Sequence, residues 1–323
     1  MQEGADAAEW LSPVDAIARS PGVVLVIGRS DCGKTTWIHS ATKALFRLGI
    51  SAIAIVDADL GQSTFGPPTT VGLYCATDSD NFDDDAERGI FHAAAFVGSI
   101  TPLRHLLQTL TACHRLVDRA KRSGAAIIMV DTSGLISGSA GFQLKWRKVE
   151  LLAPRHVVAL QEEAELEPLL SVIGADSELA IHRRTVPSDI RPRSPAERTA
   201  YRNHRFSMYF NDAQAHTLQL ESIICLSPPY PRRSWSISMP PVLSPTILQS
   251  LSADELSGCL VGLNTATNTT LGLGVVEGLD HPGQALKVWT PLHDLSKVRL
   301  VQFSDLRPAL PSFSQDRPNA SQQ

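Results

Sequence analysis

Residues 22–36 read GVVLVIGRSDCGKTT. Val23 to Ile27 form an unbroken apolar run of the length and β-branched composition expected of a buried strand, and Gly28 ends it. From Gly28 to Thr35 the spacing is G-x-x-x-x-G-K-T, the phosphate-binding loop pattern. Glycines at the first and sixth positions let the backbone turn its N–H groups toward an anion, and the following helix adds the positive end of its dipole. Lys34 supplies a mobile charge for the β- and γ-phosphates, and Thr35 offers a hydroxyl to Mg²⁺. Trp37, Ile38, Ala41, Leu45 and Leu48 recur at helical spacing up to Gly49, so the context is strand, loop, helix, as a nucleoside-triphosphate site requires.

Around this stretch the chain is 323 residues long, 43% hydrophobic and −4 in net charge, with mean hydropathy near zero and a pI near 6.2. It is long enough for one large domain and a smaller one. No apolar stretch approaches the 18 or more residues of a membrane span, and the N-terminus does not follow a signal-peptide plan. Cys32, Cys75, Cys113, Cys225 and Cys259 are scattered without a C-x-x-C pair, which predicts reduced thiols and a cytoplasmic protein. The acidic balance argues against a general nucleic-acid coat but not against a local patch. One such patch runs from Arg183 to Arg205, with seven arginines against Asp189 and Glu197.

Taken in order, residues 1–20 are an amphipathic lead-in, with Trp10, Leu11, Val14 and Ile17 on one face packing beside the first strand. Ala52 to Val56 form a second buried strand with Asp57 and Asp59 at its carboxyl end, the edge where open α/β sheets bind ligands. Those carboxylates suit Mg²⁺ binding or proton abstraction; turn chemistry at a strand end is the plainer alternative. Gly61, Gly66, Pro67 and Pro68 predict an irregular loop, and the six acids of residues 78–87 a solvated one. Phe91 to Val97 reads as a third strand, and Leu103 to Arg122 as a helix with Leu103, Leu106, Leu107 and Leu110 as its core stripe. Ile127 to Val130 followed by Asp131 has the Walker B shape for holding the water shell of Mg²⁺, and a glycine-rich loop follows. Val157 to Leu160 is a further strand before an acidic helix from about Glu163, while Trp37 and Trp146 are packing residues.

Arg198 and Arg202 lie four apart and share a helix face. They form either a solvated charged surface or a lid over a transferring phosphoryl group. From about Thr217 short strand-like runs broken by Gly, Pro and Asn predict a small β domain, with a hairpin at GLDHPGQ. The expected division is 1–20 lead-in, 21–215 P-loop domain with a lid around 181–210, 216–307 β domain, and 308–323 disordered tail. The fold class is α/β, a P-loop NTPase core with a mainly parallel sheet and helical arginine lid, plus the C-terminal β domain.

The motifs GRSDCGKTT, DADLGQSTFGPPTTVGL, FVGSITP, DTSGLISGSAGFQLK, LLAPRHVVALQ, the arginine segment ending in YF, and TLGLGVVEGL with VWTPL occur in that order. Over roughly residues 20–305 they resemble the polynucleotide 5′-hydroxyl kinases of pre-rRNA processing, pre-mRNA cleavage and tRNA splicing, and their archaeal and bacterial relatives. The resemblance implies an ATP site on Gly28, Ser30, Asp31, Cys32, Gly33, Lys34, Thr35 and Thr36, with Thr35 serving Mg²⁺ beside the Asp131 of the Walker B reading. It implies Asp59 as the carboxylate that activates the 5′-hydroxyl, and Gln62, Thr132, Ser133 and Gly134 as the cradle of the terminal nucleotide. Arg193, Arg198 and Arg202 match the arginines of the lid. Leu135 stands where the eukaryotic members carry a base-clamping Trp, and the additional N-terminal domain of some relatives has no counterpart. The activity implied is ATP-dependent phosphorylation of a 5′-OH end, RNA favoured over DNA; protein partners are left open. The alternatives are a non-catalytic ATP-binding scaffold, which could lose Asp59 freely, and a GTPase, disfavoured by the lack of an N-K-x-D motif.

Overall fold

The computed structural model describes residues 9–77, 81–175, 178–188, 190–229, 240–280 and 282–310. The chain divides into two compact units. One spans 1–66, 70–97 and 101–198; the other spans 67–69, 98–100 and 199–323. The sequence reading drew its main boundary after residue 215, whereas the compact units divide after Arg198, within a helix.

The first unit is a three-layer α/β core. Strands β1 (Val23–Gly28), β2 (Ile53–Ala58), β5 (Ile127–Thr132), β6 (His156–Gln161) and β7 (Ala180–Thr185) run parallel in the order β2-β5-β1-β6-β7. β3 (Thr70–Ala76) adds antiparallel to β2, and β4 (Ala93–Phe96) antiparallel to β3. The four central strands are buried along nearly their whole length, which is why they read as continuous apolar runs rather than alternating ones.

On one face, helices α1 (Pro13–Arg19), α2 (Lys34–Arg47) and α3 (Phe82–Arg88) cover a core containing Val14, Ile17, Val24, Trp37, Leu45 and Phe82. The lead-in therefore packs as expected, with Trp10 and Leu11 partly buried in the same cluster. On the other face lie α4 (Leu106–Arg122), α5 (Gly138–Leu152) and α6 (Glu167–Ile173).

The sequence reading did not find strand β3, which follows the irregular loop: it is an internal antiparallel strand, and its Gly72 must lack a Cβ because one would lie 1.9 Å from the Phe65 carbonyl oxygen. Three local expectations are corrected. The acidic segment carries helix α3, because Phe82 and Ala86 bury into the aromatic cluster of Phe65 and Tyr74 while Asp83, Asp84 and Glu87 stay exposed and Asp85 accepts from the Tyr74 hydroxyl; Asp78 and Asp80 lie outside the described residues. Helix α4 buries Thr109, Ala112, Cys113, Leu116, Val117 and Ala120, while Leu107 is 73% exposed, so its small residues and not its first leucines meet the sheet. The span read as lid from 181 begins with β7, hydrogen-bonded to β6, where Arg183 pairs with Glu167.

The second unit holds the expected β-rich region. Its strands β8 (Gln214–Gln219), β9 (Ile224–Leu226), β10 (Val242–Leu243), β11 (Leu260–Asn264), β12 (Thr270–Leu279), β13 (Ala285–Thr290) and β14 (Leu300–Phe303) order as β8-β13-β12-β11-β14-β9-β10. All pairings are antiparallel except β14 with β9. β12 and β13 form the hairpin anticipated at GLDHPGQ; His281 in its turn, and 311–323 of the tail, lie outside the described residues.

Candidate phosphoryl-transfer site

The site grows from the carboxyl edge of the parallel sheet, where the loops after β1, β2 and β5 meet. The loop after β1 opens at Gly28, buried so closely that a Cβ would lie 2.4 Å from Cys32 Sγ and 2.7 Å from the Leu160 carbonyl oxygen. It closes at Gly33, which caps α2 with φ +85°, a left-handed conformation that glycine adopts without strain. Asp31 shares that conformation at φ +57°. Ser30 and Thr36 are exposed, Cys32 is fully buried, and burial pushes its thiol upward. Lys34 is 6% exposed, its Nζ donating to the Arg29 carbonyl at 2.5 Å.

Thr35, one residue into α2, donates from Oγ1 to Asp131 Oδ2 at 2.5 Å. Asp131 stands beside Asp57 in the paired strands β5 and β2. Its Oδ1 is buried and has no hydrogen-bond partner among the described residues. Burial raises the Asp131 carboxyl above the usual range, with Lys34 and the Thr35 hydroxyl opposing. A buried carboxylate oxygen without a donor, next to a P-loop hydroxyl, fits the water shell of Mg²⁺ held by Thr35 and Asp131. Among the described residues no group of three or more His, Cys, Asp or Glu side chains could hold a metal ion.

The two carboxylates after β2 separate in role. Asp57 organises the loop: Oδ1 accepts from Asp59 N at 3.0 Å, and Oδ2 from Thr64 N at 2.6 Å, Phe65 N at 3.1 Å and Ser63 Oγ at 3.4 Å. Burial, with the charges of Asp131 and Asp59, raises its pKa to about 7. Turn chemistry therefore accounts for Asp57. Asp59 is half-buried at the site, and its hydrogen bonds among the described residues fall on Oδ1, from Gly61 N and Gln62 N at 3.1 Å each.

Gln62 ties this loop to the arginine segment. Its Nε2 donates to the Arg198 carbonyl at 3.1 Å, and its Oε1 accepts from Arg193 Nη1 at 3.2 Å. Arg198, near the start of α7 (Pro195–Tyr209), reaches the P-loop, its Nη1 lying 3.2 Å from Asp31 Oδ2. Arg202 falls in the second unit, where its Nη2 donates to Thr199 Oγ1 at 3.2 Å.

After β5, Thr132 Oγ1 donates to the Val26 carbonyl at 2.8 Å, Ser133 is buried, and Gly134 stands against the P-loop. A Cβ on Gly134 would lie 2.2 Å from Ser30 N. The structure thus brings together Asp31, Lys34, Thr35, Asp59, Gln62, Asp131, Gly134, Arg193 and Arg198. Sequence reasoning missed Lys145. It is fully buried in α5, with Nζ donating to Thr132 Oγ1 at 2.8 Å and the Ser133 carbonyl at 2.6 Å. Burial holds its ammonium well below the ordinary lysine range, with Lys148 and Lys34 pushing the same way. The available signal was two lysines, Lys145 and Lys148, interrupting the apolar face of an amphipathic helix.

Known proteins with similar sequences carry consistent names. A polyribonucleotide 5′-hydroxyl-kinase of Pyrococcus furiosus is 28% identical over 90% of this chain and 88% of its own length. One from Methanocaldococcus jannaschii is 27% identical over the same shares. In fold, the chain resembles Clp1p as solved in complex with Pcf11p, with a TM-score of 0.70 over 94% of this chain and 79% of that one at 12% identity. Residues 28–212, more than half of the chain, match the family described as mRNA cleavage and polyadenylation factor CLP1 P-loop, and the chain belongs to that family.

Proposed function

We propose that this protein is an ATP-dependent polynucleotide kinase that transfers the γ-phosphoryl group of ATP to the 5′-hydroxyl of RNA. The observation that carries the reading is the meeting, on one sheet edge, of a P-loop lysine, the Thr35–Asp131 pair and the half-buried carboxylate of Asp59. The names of its archaeal relatives support the same acceptor.

Phosphoryl transfer needs little covalent chemistry from the protein; positioning and charge neutralisation do most of the work. Backbone N–H groups from Ser30 to Thr36 and the N-terminus of α2 hold the β- and γ-phosphates. Lys34 leaves the Arg29 carbonyl to follow the γ-phosphate. The Thr35 hydroxyl and Asp131 would hold Mg²⁺, which would supply neutralisation of charge on the phosphate oxygens. Asp59 takes the proton of the attacking 5′-hydroxyl. Gln62 and the Thr132–Gly134 loop hold the terminal nucleotide, while the match to the family's lid assigns Arg193, Arg198 and Arg202 to the charge developing on the transferred group. The free thiols, four of the five (Cys32, Cys113, Cys225 and Cys259) buried in the cores, support a reducing, cytoplasmic setting.

The test is transfer of radiolabelled γ-phosphate to matched RNA and DNA oligonucleotides carrying a 5′-OH. RNA should be phosphorylated with the higher kcat/KM. Absence of transfer to either, with ATP bound, overturns the reading in favour of a nucleotide-dependent scaffold.

A further inference from the structure

Helix α5 turns two lysines, Lys145 and Lys148, into the protein interior, and both side chains are fully buried beside Gly141, Leu144 and Leu152. Taking an ammonium out of water costs several kcal/mol unless hydrogen bonds and opposite charge repay it, and a methionine would fill the same space without that cost. The surroundings treat the two lysines differently. Lys148 Nζ has no hydrogen-bond partner among the described residues. Lys145 Nζ grips the chain where β5 ends, donating to Thr132 Oγ1 at 2.8 Å and to the Ser133 carbonyl at 2.6 Å.

What Lys145 grips is joined to the P-loop on both sides. Thr132 Oγ1 passes a hydrogen bond on to the Val26 carbonyl, in the strand that feeds the P-loop. The next residues lead to Gly134, whose α-carbon packs against Ser30 so tightly that a Cβ would lie 2.1 Å from Ser30 Oγ. The ammonium therefore links α5 to the seam between the loop after β5 and the P-loop. Ser133 is 5% exposed, so its carbonyl depends on a protein donor.

We propose that Lys145 is a positioning residue for phosphoryl transfer: its buried ammonium pins the Thr132–Gly134 loop against the P-loop and so fixes the acceptor relative to the phosphoryl group. This rests on the kinase reading above. Lys145 needs no contact with substrate. It acts through Thr132 and Ser133, and a loop displaced by an ångström costs phosphoryl transfer about 10²-fold while leaving the nucleotide bound.

The test compares Lys145→Met, Lys145→Gln and Lys148→Met with wild type for RNA phosphorylation, ATP affinity and thermal unfolding. Lys145→Met should lose kcat by about 10²-fold, with ATP affinity unchanged and a melting temperature no higher than wild type, because the buried Ser133 carbonyl loses its donor. Lys148→Met should keep kcat. Lys145→Gln serves if the methionine variant does not fold, and should show the same kcat-selective loss. Wild-type kcat in Lys145→Met overturns the proposal. So does an equal loss in Lys148→Met, which would assign the effect to buried charge, and so does failure of both Lys145 variants to fold, which would assign the residue to stability. Inactive wild type would instead take down the kinase reading, and this inference with it.

Discussion

Thr35 Oγ1 and Asp131 Oδ2 lie 2.5 Å apart, although 96 residues separate them in sequence. The contact joins the start of the P-loop helix to the end of β5, and leaves Asp131 Oδ1 buried without a donor among the described residues. Asp59 has no such tie: its bonds among the described residues serve its own turn. This difference separates two carboxylates that share one sheet edge. Asp59→Asn should retain Mg²⁺-ATP binding and lose transfer by about 10²–10⁴-fold, as removal of a general base does. Asp131→Asn should be milder and partly rescued by raised Mg²⁺. Nucleotide affinity and single-turnover transfer across a Mg²⁺ series decide it; rescue of Asp59→Asn alone would reverse the roles.

Lys34→Ala should abolish transfer, by about 10³-fold or more, because it removes the charge that follows the γ-phosphate. The fold should persist, since the lysine gives up one hydrogen bond to the Arg29 carbonyl and a weak contact to Cys32 Sγ. Circular dichroism and the kinase assay on the same preparation check both halves.

The arginines should act on the transition state. Arg198, in contact with Asp31 of the P-loop, should lose kcat far more than ATP affinity when replaced by alanine, and Arg202→Ala likewise, each by about 10³-fold. A change confined to KM for RNA would make them ground-state contacts instead.

Gly134→Ala places a methyl group 2.1 Å from Ser30 Oγ and 2.2 Å from Ser30 N. The second atom is backbone, so no rotamer change relieves the clash and either the P-loop or the loop after β5 must shift. The variant should fold, at a cost of about 1–3 kcal/mol typical of overpacking, and bind ATP more weakly. Isothermal titration and thermal unfolding measure the two effects.

His182 links folding to pH. Its Nε2 lies 3.1 Å from His156 Nδ1, and His156 Nε2 lies 2.8 Å from the Ser20 carbonyl. His156 must donate through Nε2, so its Nδ1 accepts and His182 supplies the proton. Burial first, then His156 and Arg184, lowers the His182 pKa from 6.5 to about 4. The unfolded chain therefore binds the extra proton between those values, so this contribution is complete above pH 6.5 and is lost as pH falls toward 4. Urea unfolding at neutral pH and near pH 5 should show a steeper loss for wild type than for His182→Gln.

Much of this was legible in the chain itself. β1, β2, β5 and β6 announce themselves as apolar runs, because a parallel strand covered on both faces has no polar side to show. The P-loop is equally local: its glycines answer to backbone geometry within nine residues, so spacing alone identifies it. Other features depended on what packs where. Leucine outranks alanine and cysteine in any count of apolar residues, yet α4 lies close to the sheet through Ala112, Cys113 and Ala120, and Leu107 is left outside. Phe82 draws an acidic segment into a helix because Phe65 and Tyr74 offer it a surface, and those rings come from a different part of the chain. Asp57 and Asp59 look interchangeable two residues apart; only the path of the following loop makes one a scaffold and leaves the other half-buried at the sheet edge. Lys145 is the extreme case. A lysine in a helix reads as surface, and its burial is settled by acceptors at Thr132 and Ser133 that no local pattern contains. Local runs and glycine spacing thus determined the strands and the phosphate loop. The tertiary structure decided which polar groups face each other, because the partners that stabilise a buried charge come from segments distant in sequence.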